Sequence, residues 1–347
     1  VGGTLFSKNF SPLRLRVFGG TEPFFKKVPR RKVLEVFVGS MRRKVYQSIL
    51  AYCFIFPFLI IFIFFLLYPI FYSFYLSFHE VTVFSDWYDP FGDMEFVGLA
   101  NYFYFLGDVE FWFSLGITLI YGLLTIPLGI FLSLVLALLL SSKLRFRNFF
   151  RSAYFLPNVL DLLVVGIIWT LIFSPHYGLL DRWMGRVGIR VFSDGVLSDP
   201  WTCLPVIALA MVLKGLGFGM VLFLGAIQNI PSTLYEAAEI DGANSWQRFR
   251  YITLPLVRPV ILFMVITGTI ASLTAFAEVY AMTSNTGGPT VEFLGKTVRA
   301  ANLAGYFLYT YFAEGFYGKA AAFSFLLWAV AMVISYVNVR FLYRGGR

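Results

Sequence analysis

Six long apolar blocks constrain this chain more than any other feature. They run roughly over residues 49–78, 111–140, 159–173, 204–227, 260–282 and 320–341. A bilayer core about 30 Å thick takes about 20 apolar helical residues to cross. The third block is the shortest, with Pro157 and Asn158 helping it across. Inside lipid the backbone must bond to itself, so the blocks are expected to be helices. The short alternating segments of a membrane β-barrel are absent from the sequence. Composition agrees: charged residues make up 14%, against about a quarter in soluble domains, too few to cover a soluble surface. The expected fold is an all-α membrane protein with six transmembrane helices.

Loop charges then set an orientation. Residues 1–46 hold eleven Lys and Arg. The loop at 79–110 has none, but carries Glu80, Asp86, Asp89, Asp93, Glu95, Asp108 and Glu110. Lys143, Arg145, Arg147 and Arg151 follow, then the tail has Arg340, Arg344 and Arg347. Basic loops stay in the cytoplasm, so both termini are expected inside. The mixed loop at 174–203 is the weakest vote. Residues 1–45 form a basic cytoplasmic arm facing anionic lipid headgroups, and residues 46–347 a six-span domain. No nucleic-acid partner is expected. No short apolar stretch with a cleavage site occurs in residues 1–46, so no signal peptide is expected. Cys53 and Cys203 lie far apart in apolar blocks and imply neither a disulfide framework nor a metal site.

The stretch joining the fourth and fifth blocks, about 228–258, differs from an ordinary connector. Thr233 and Glu236 fit a capping box for a first short helix. Gly242 suits its left-handed stop. Asn244 or Ser245 can cap a second helix, which Pro255 would end. Helices that lie on a membrane surface favour Lys and Arg, whereas this first helix carries Glu236, Glu239 and Asp241 beside Leu234, Ala237, Ala238 and Ile240. That mixture suits a protein cleft, although an amphipathic connector on the headgroups stays open on physical grounds alone.

Glu236-Ala237-Ala238, Asp241-Gly242-Ala243 and Ile252-x-Leu254-Pro255 match the EAA signature of ABC importer permeases, between two late spans as in that family. The resemblance implies the type I importer permease fold, with this segment as a cytoplasmic coupling helix in a groove of an ATPase subunit. Tyr235, Glu236, Ala237, Ala238, Asp241, Gly242 and Ala243 are its expected coupling residues. The remainder resembles the sugar branch, the maltose-permease F-type subunits, through Leu156-Pro157-Asn158, Gly166-Ile167-Ile168-Trp169, Tyr177-Gly178-Leu179-Leu180, Phe192-Ser193-Asp194, Ser198-Asp199-Pro200 and Gly287-Gly288-Pro289. With six spans and a short outside loop, the chain is closer to the smaller sugar and glycerol-phosphate permeases. The resemblance implies ABC ATPase subunits holding ATP and Mg, a second, G-type permease subunit and an extracytoplasmic solute-binding protein. The location implied is a prokaryotic cell membrane. No cofactor is expected in this chain.

Ionisable residues within a membrane mark pathways by default. Asp161 is expected near the inside end of the third span, and Lys214 and Glu278 toward the middle or outer halves of theirs. Lys214 can instead snorkel to a headgroup or pair with Glu278. Gly215 and Gly219 form a GxxxG packing signal, yet in the maltose-type family the region matching Gly215 and Phe218 lines the sugar site, with Thr274 near another of its positions. The candidate substrate path is therefore Lys214, Gly215, Phe218, Thr274 and Glu278. The Lys214 charge keeps an acidic or phosphorylated substrate open.

Catalytic motifs fail. Residues 290–297, TVEFLGKT, lack the first glycine of a phosphate-binding loop. His79 and His176 are the only histidines, and neither belongs to a metal or nucleophile constellation. No catalytic or metal-binding residue is assigned. The expected role is a sugar-class import permease. An ABC permease for polyamines, amino acids or oxyanions is one alternative, and an ion-driven secondary transporter using Asp161 or Glu278 another.

Overall fold

The computed structural model describes residues 46, 48–81, 94–142, 145–175, 178–186 and 195–344. The basic arm at 1–45, His176, Tyr177 and Phe192–Asp194 lie outside the described residues. The chain divides into two units, residues 1–69 and 70–347. In the first unit the described part is the bulk of α1 (Ser48–Leu76). Its Ile63–Leu67 turn is a π-helix, closed by the Tyr68 amide on the Ile63 carbonyl just before Pro69. A proline lacks the amide and crowds the carbonyl four residues back. The wider turn accommodates both defects.

In the second unit a short ribbon, β1 (His79–Glu80) and β2 (Glu95–Phe96), pairs antiparallel. It is followed by α2 (Ala100–Gly107) and α3 (Val109–Ser141). Then come α4 (Arg147–Val159), α5 (Leu162–Phe173), α6 (Leu179–Arg186) and α7 (Pro200–Gln228). The remainder is α8 (Ser232–Ile240), α9 (Ser245–Leu273), α10 (Ala277–Met282), the hairpin β3 (Thr290–Phe293) with β4 (Lys296–Arg299), α11 (Ala304–Ala313) and α12 (Tyr317–Arg344).

Among the described residues, α1, α3, α7, α9 and α12 are each long and apolar enough to cross a membrane. A sixth span exists if α4 and α5, bent by 103°, are taken as one broken element. The third predicted block is thus corrected. Its helix starts at Arg147, twelve residues before Val159, and breaks at Leu160, where extended backbone (ψ 144°) ends α4. Asp161 caps α5 at the bend, accepting from the Leu163 amide at 2.8 Å.

The fifth block is corrected too. Its helix stops at Leu273, and Glu278 belongs to the separate helix α10. At the other end, α9 starts fifteen residues earlier than the apolar block, because Pro255 does not end the helix there. A second π-turn, Phe249–Thr253, is closed by the Leu254 amide on Phe249 and precedes Pro255 as the first precedes Pro69.

The centre is the α3–α7 pair, which runs parallel, with Ser133 Oγ donating to the Leu216 carbonyl at 3.2 Å. α9 runs antiparallel to α3, so that Gly122 faces Ser272 and Gly268 faces Ile126. The close approaches on α7 are at Gly217 and Gly219. A Cβ on Gly217 would meet the Tyr154 carbonyl and the Phe155 Cα of α4, and one on Gly219 would meet Ser133 and Met264. Gly215 faces open space, so the predicted Gly215/Gly219 packing pair is replaced by Gly217 and Gly219.

Buried clusters sit at both ends of this pair. Tyr121, Ile207, Val279 and Leu303 belong to one, and Leu134, Ala137, Met220, Phe223 and Val257 to another. A third joins Phe105, Phe111, Phe307 and Phe323. The TVEFLGKT run is the β3–β4 hairpin. Leu294 and Gly295 at its turn both have positive φ, as two-residue hairpin turns require.

A cavity in the helix bundle and an exposed acidic helix

Two features concentrate the polar chemistry. The first is α8, which follows α7 after Asn229, Ile230 and Pro231. The predicted Thr233/Glu236 capping box is absent. The helix starts two residues earlier than that box requires, with Pro231 as N-cap and no side-chain cap. Its far end follows the prediction. Gly242 takes φ +78°, its amide donates to the Glu239 carbonyl at 3.1 Å, and the Ala243 amide reaches the Ala238 carbonyl at 2.8 Å. This is the double bond of a Schellman stop, which favours glycine at the left-handed position. Asn244 then caps α9, exchanging hydrogen bonds with Gln247 at 2.8 and 2.9 Å.

Side chains tie α8 to the span behind it. The Tyr235 hydroxyl lies 2.9 Å from Thr253 Oγ1, and Glu239 pairs with Arg248 at 3.5 Å. Glu239 is largely exposed, so this pair is worth about 0–1 kcal/mol and orients more than it stabilises. Glu236, Ala237, Asp241 and Gly242 are exposed, while Ala238 and Ala243 are half-buried. Ile240 is 87% exposed and Trp246 65%. Apolar side chains this exposed beside acids form a surface suited to a protein contact.

The second feature is a cavity of about 530 Å³ between α3, α7, α9 and α10. Lys214, Gly215, Phe218, Thr274 and Glu278 all line it. So do Tyr121, Thr125, Thr267, Ser272 and Phe276, which sequence reading missed. A stripe of small and hydroxyl residues along α3, Thr118, Tyr121, Gly122, Thr125 and Gly129, was the available signal. Asp161 is not part of the lining.

The cavity depends on the break in the fifth span. α9 ends at Leu273, where Thr274 Oγ1 turns back to the Ile270 carbonyl at 3.0 Å. Phe276 interrupts the helical path with φ −138°. That break directs Glu278 inward, where it is 8% exposed and accepts from the Tyr121 hydroxyl at 3.1 Å. Thr274 and Phe276 also border a second, mainly apolar cavity of about 750 Å³. Among the described residues no group of acids, histidines and cysteines could hold a metal ion.

At the N-terminal end of α3, Lys296 Nζ donates to Asp108 Oδ1 at 2.8 Å, and Asn302 Nδ2 to Glu110 Oε1 at 2.8 Å. The hairpin is thereby tied to the start of α3. The Asp108 bond and charge raise the Lys296 ammonium above its ordinary value.

Residues 125–344, covering α9 and the exposed α8, match the family described as the binding-protein-dependent transport system inner membrane component. The chain belongs to this family. It is a membrane protein and a permease subunit of an ABC importer, a transport component rather than an enzyme. The permease is 35% identical to the lactose transport system permease protein LacF of Rhizobium radiobacter, over 71% of this chain and 80% of that one. It is 31% identical to the trehalose/maltose transport system permease protein MalF of Thermococcus litoralis, over 87% and 96%. With the arabinooligosaccharides transport system permease protein AraP of Bacillus subtilis it shares 32% identity over 83% and 87%. Its fold is that of a chain in a bacterial alginate ABC transporter, solved with an alginate pentasaccharide-bound periplasmic protein. The TM-score is 0.71 at 21% identity, over 88% of this permease and 98% of that chain.

Proposed function

We propose that this permease moves a sugar or oligosaccharide from an extracytoplasmic solute-binding protein into the cytoplasm of a prokaryote, driven by separate ATPase subunits. The sugar class is supported by relatives named for lactose, trehalose/maltose and arabinooligosaccharides. The observation that bears most on the coupling is the exposed α8, pinned to α9 by Tyr235 and Glu239 and stopped at Gly242. A rigid helix so placed passes a displacement to the span behind it. ATP and Mg would be held by the ATPase subunits. Closure of those subunits would pull α8, with Tyr235, Glu236, Ala237, Ala238, Asp241, Gly242 and Ala243 forming the contact.

The cavity lined by Lys214, Gly215, Phe218, Thr274 and Glu278 is then the substrate path. It would open alternately to the two sides as this subunit rocks against a second, G-type permease. Phe218, 43% exposed, offers a face for a sugar ring. Both termini lie in the cytoplasm in this arrangement, as the loop charges require.

The test is deletion of Glu236–Asn244 in the assembled importer. The expected result is a chain that still inserts into the membrane but no longer retains its ATPase subunits in a pull-down. Full retention would refute the coupling role.

A further inference from the structure

Lys214 stands at the middle of the 29-residue α7, with about 20 Å of helix on either side. A lysine side chain spans about a third of that, so its ammonium cannot snorkel to a headgroup from there. It lines the cavity instead. Among the described residues its ammonium has no hydrogen bond or ion pair within contact distance. Glu278 lines the same cavity, and its carboxylate accepts from the Tyr121 hydroxyl at 3.1 Å.

The other polar side chains of the wall have spent their donors. Thr125, Thr267, Ser272 and Thr274 each donate to a carbonyl of their own helix, at 2.9, 2.8, 2.9 and 3.0 Å. Ser133 donates to the Leu216 carbonyl, and the Tyr121 hydroxyl to Glu278. What these groups still offer is lone pairs. Sugar hydroxyls can donate to such a wall. A group that only accepts, such as a carboxylate or phosphate, finds its donors at Lys214. An ammonium at mid-membrane depth also requires a countercharge, and among the described residues it forms no ion pair with Glu278, the acid that shares its cavity.

We propose that Lys214 reads an anionic group on the transported sugar, so that the cavity prefers an acidic sugar or sugar phosphate to a neutral one. This rests on the reading of the cavity as the substrate path. A lysine ammonium acts as a point charge and serves a carboxylate or a phosphate alike, so the test includes both.

The assembled importer, in nanodiscs and without its binding protein, is titrated with cellobiose, with the glucuronyl-glucose disaccharide and with cellobiose 6-phosphate. The wild type is expected to bind at least one anionic probe tenfold or more tighter than cellobiose; the better of the two identifies the group. Lys214→Gln should bring that ratio close to one, and Lys214→Arg should keep most of it. Equal wild-type affinities, or a preference that survives Lys214→Gln, would overturn the proposal. Phe218→Ala separates the two levels, since it should weaken all three probes alike. If Phe218→Ala weakens them and Lys214→Gln leaves their ratio unchanged, the charge reading alone fails. If no probe binds, or neither variant alters any affinity, the cavity reading fails with it.

Discussion

Gly215 and Gly217 are two residues apart on α7 and are predicted to respond in opposite ways to one added methyl group. At Gly217 the new carbon would fall on the Tyr154 carbonyl and the Phe155 Cα. Both are backbone atoms of α4, so no side chain can swing aside, and α4 must move off α7. Overpacking of this kind costs about 1–3 kcal/mol. At Gly215 the carbon meets nothing within 4 Å, and replacing glycine in a helix gains up to about 1 kcal/mol. For large domains each kcal/mol shifts the melting point by about 2–4 °C. Gly217→Ala is thus expected to lower Tm by roughly 2–12 °C, with Gly215→Ala level with the wild type or slightly above.

The chain supplies its own reporter for this measurement. Cys203 on the same helix is fully buried, while Cys53 is exposed. In a Cys53→Ser background, a thiol-reactive dye reports unfolding through Cys203 alone. A Gly217→Ala protein melting at or above the wild type would refute the packing argument. Because Gly215 lines the cavity, Gly215→Leu should retain Tm yet reduce transport in the assembled importer at least tenfold.

Gly242→Val puts a β-branched residue at φ +78° with no neighbour within 4 Å. Only backbone strain of about 1–2 kcal/mol acts, and ATPase retention should weaken several-fold in a pull-down while membrane insertion is unchanged. Asn244→Ala removes the capping box of α9 and is expected to cost about 1 kcal/mol, read as a Tm loss by the same dye. Lys296 is held above its ordinary value by Asp108, so the pair's contribution is complete below the ordinary lysine value and is lost as pH rises through the raised one. The Tm difference between wild type and Lys296→Met should accordingly stay constant through neutral pH and disappear only in strongly alkaline buffer.

Most of the spans were legible because a 30 Å slab imposes its length on apolar sequence. The interruptions were not. Leu160 and Phe276 are ordinary apolar residues, and nothing in their chemistry marks a helix break; tertiary packing decides it. Glu278 stood out as a charge in an apolar block, yet its setting, at the start of a separate helix and bonded to Tyr121, depends on a contact 157 residues away. The five candidate path residues fall around one cavity: Lys214 and Glu278 stood out as charges within apolar blocks, and Gly215, Phe218 and Thr274 came from the resemblance to the maltose-type permeases. The Thr233/Glu236 capping box misled because Pro231 supplies the helical start itself. Gly215/Gly219 misled because spacing alone does not say which face of a helix meets a neighbour.

The π-turn at Phe249–Thr253 holds one residue more than an α-helical path would use. Each residue of a helix rotates the chain by about 100° and advances it about 1.5 Å. Deleting a single residue there, such as Arg250, would leave the apolar spans in place, yet swing Asn244, Trp246 and the acidic helix before them a quarter-turn around the axis of the fifth span. Pro255 guards against that slip, because a regular turn would drive its ring into the Tyr251 carbonyl. The direction in which this subunit can be gripped is therefore set by a single surplus residue and the proline beyond it.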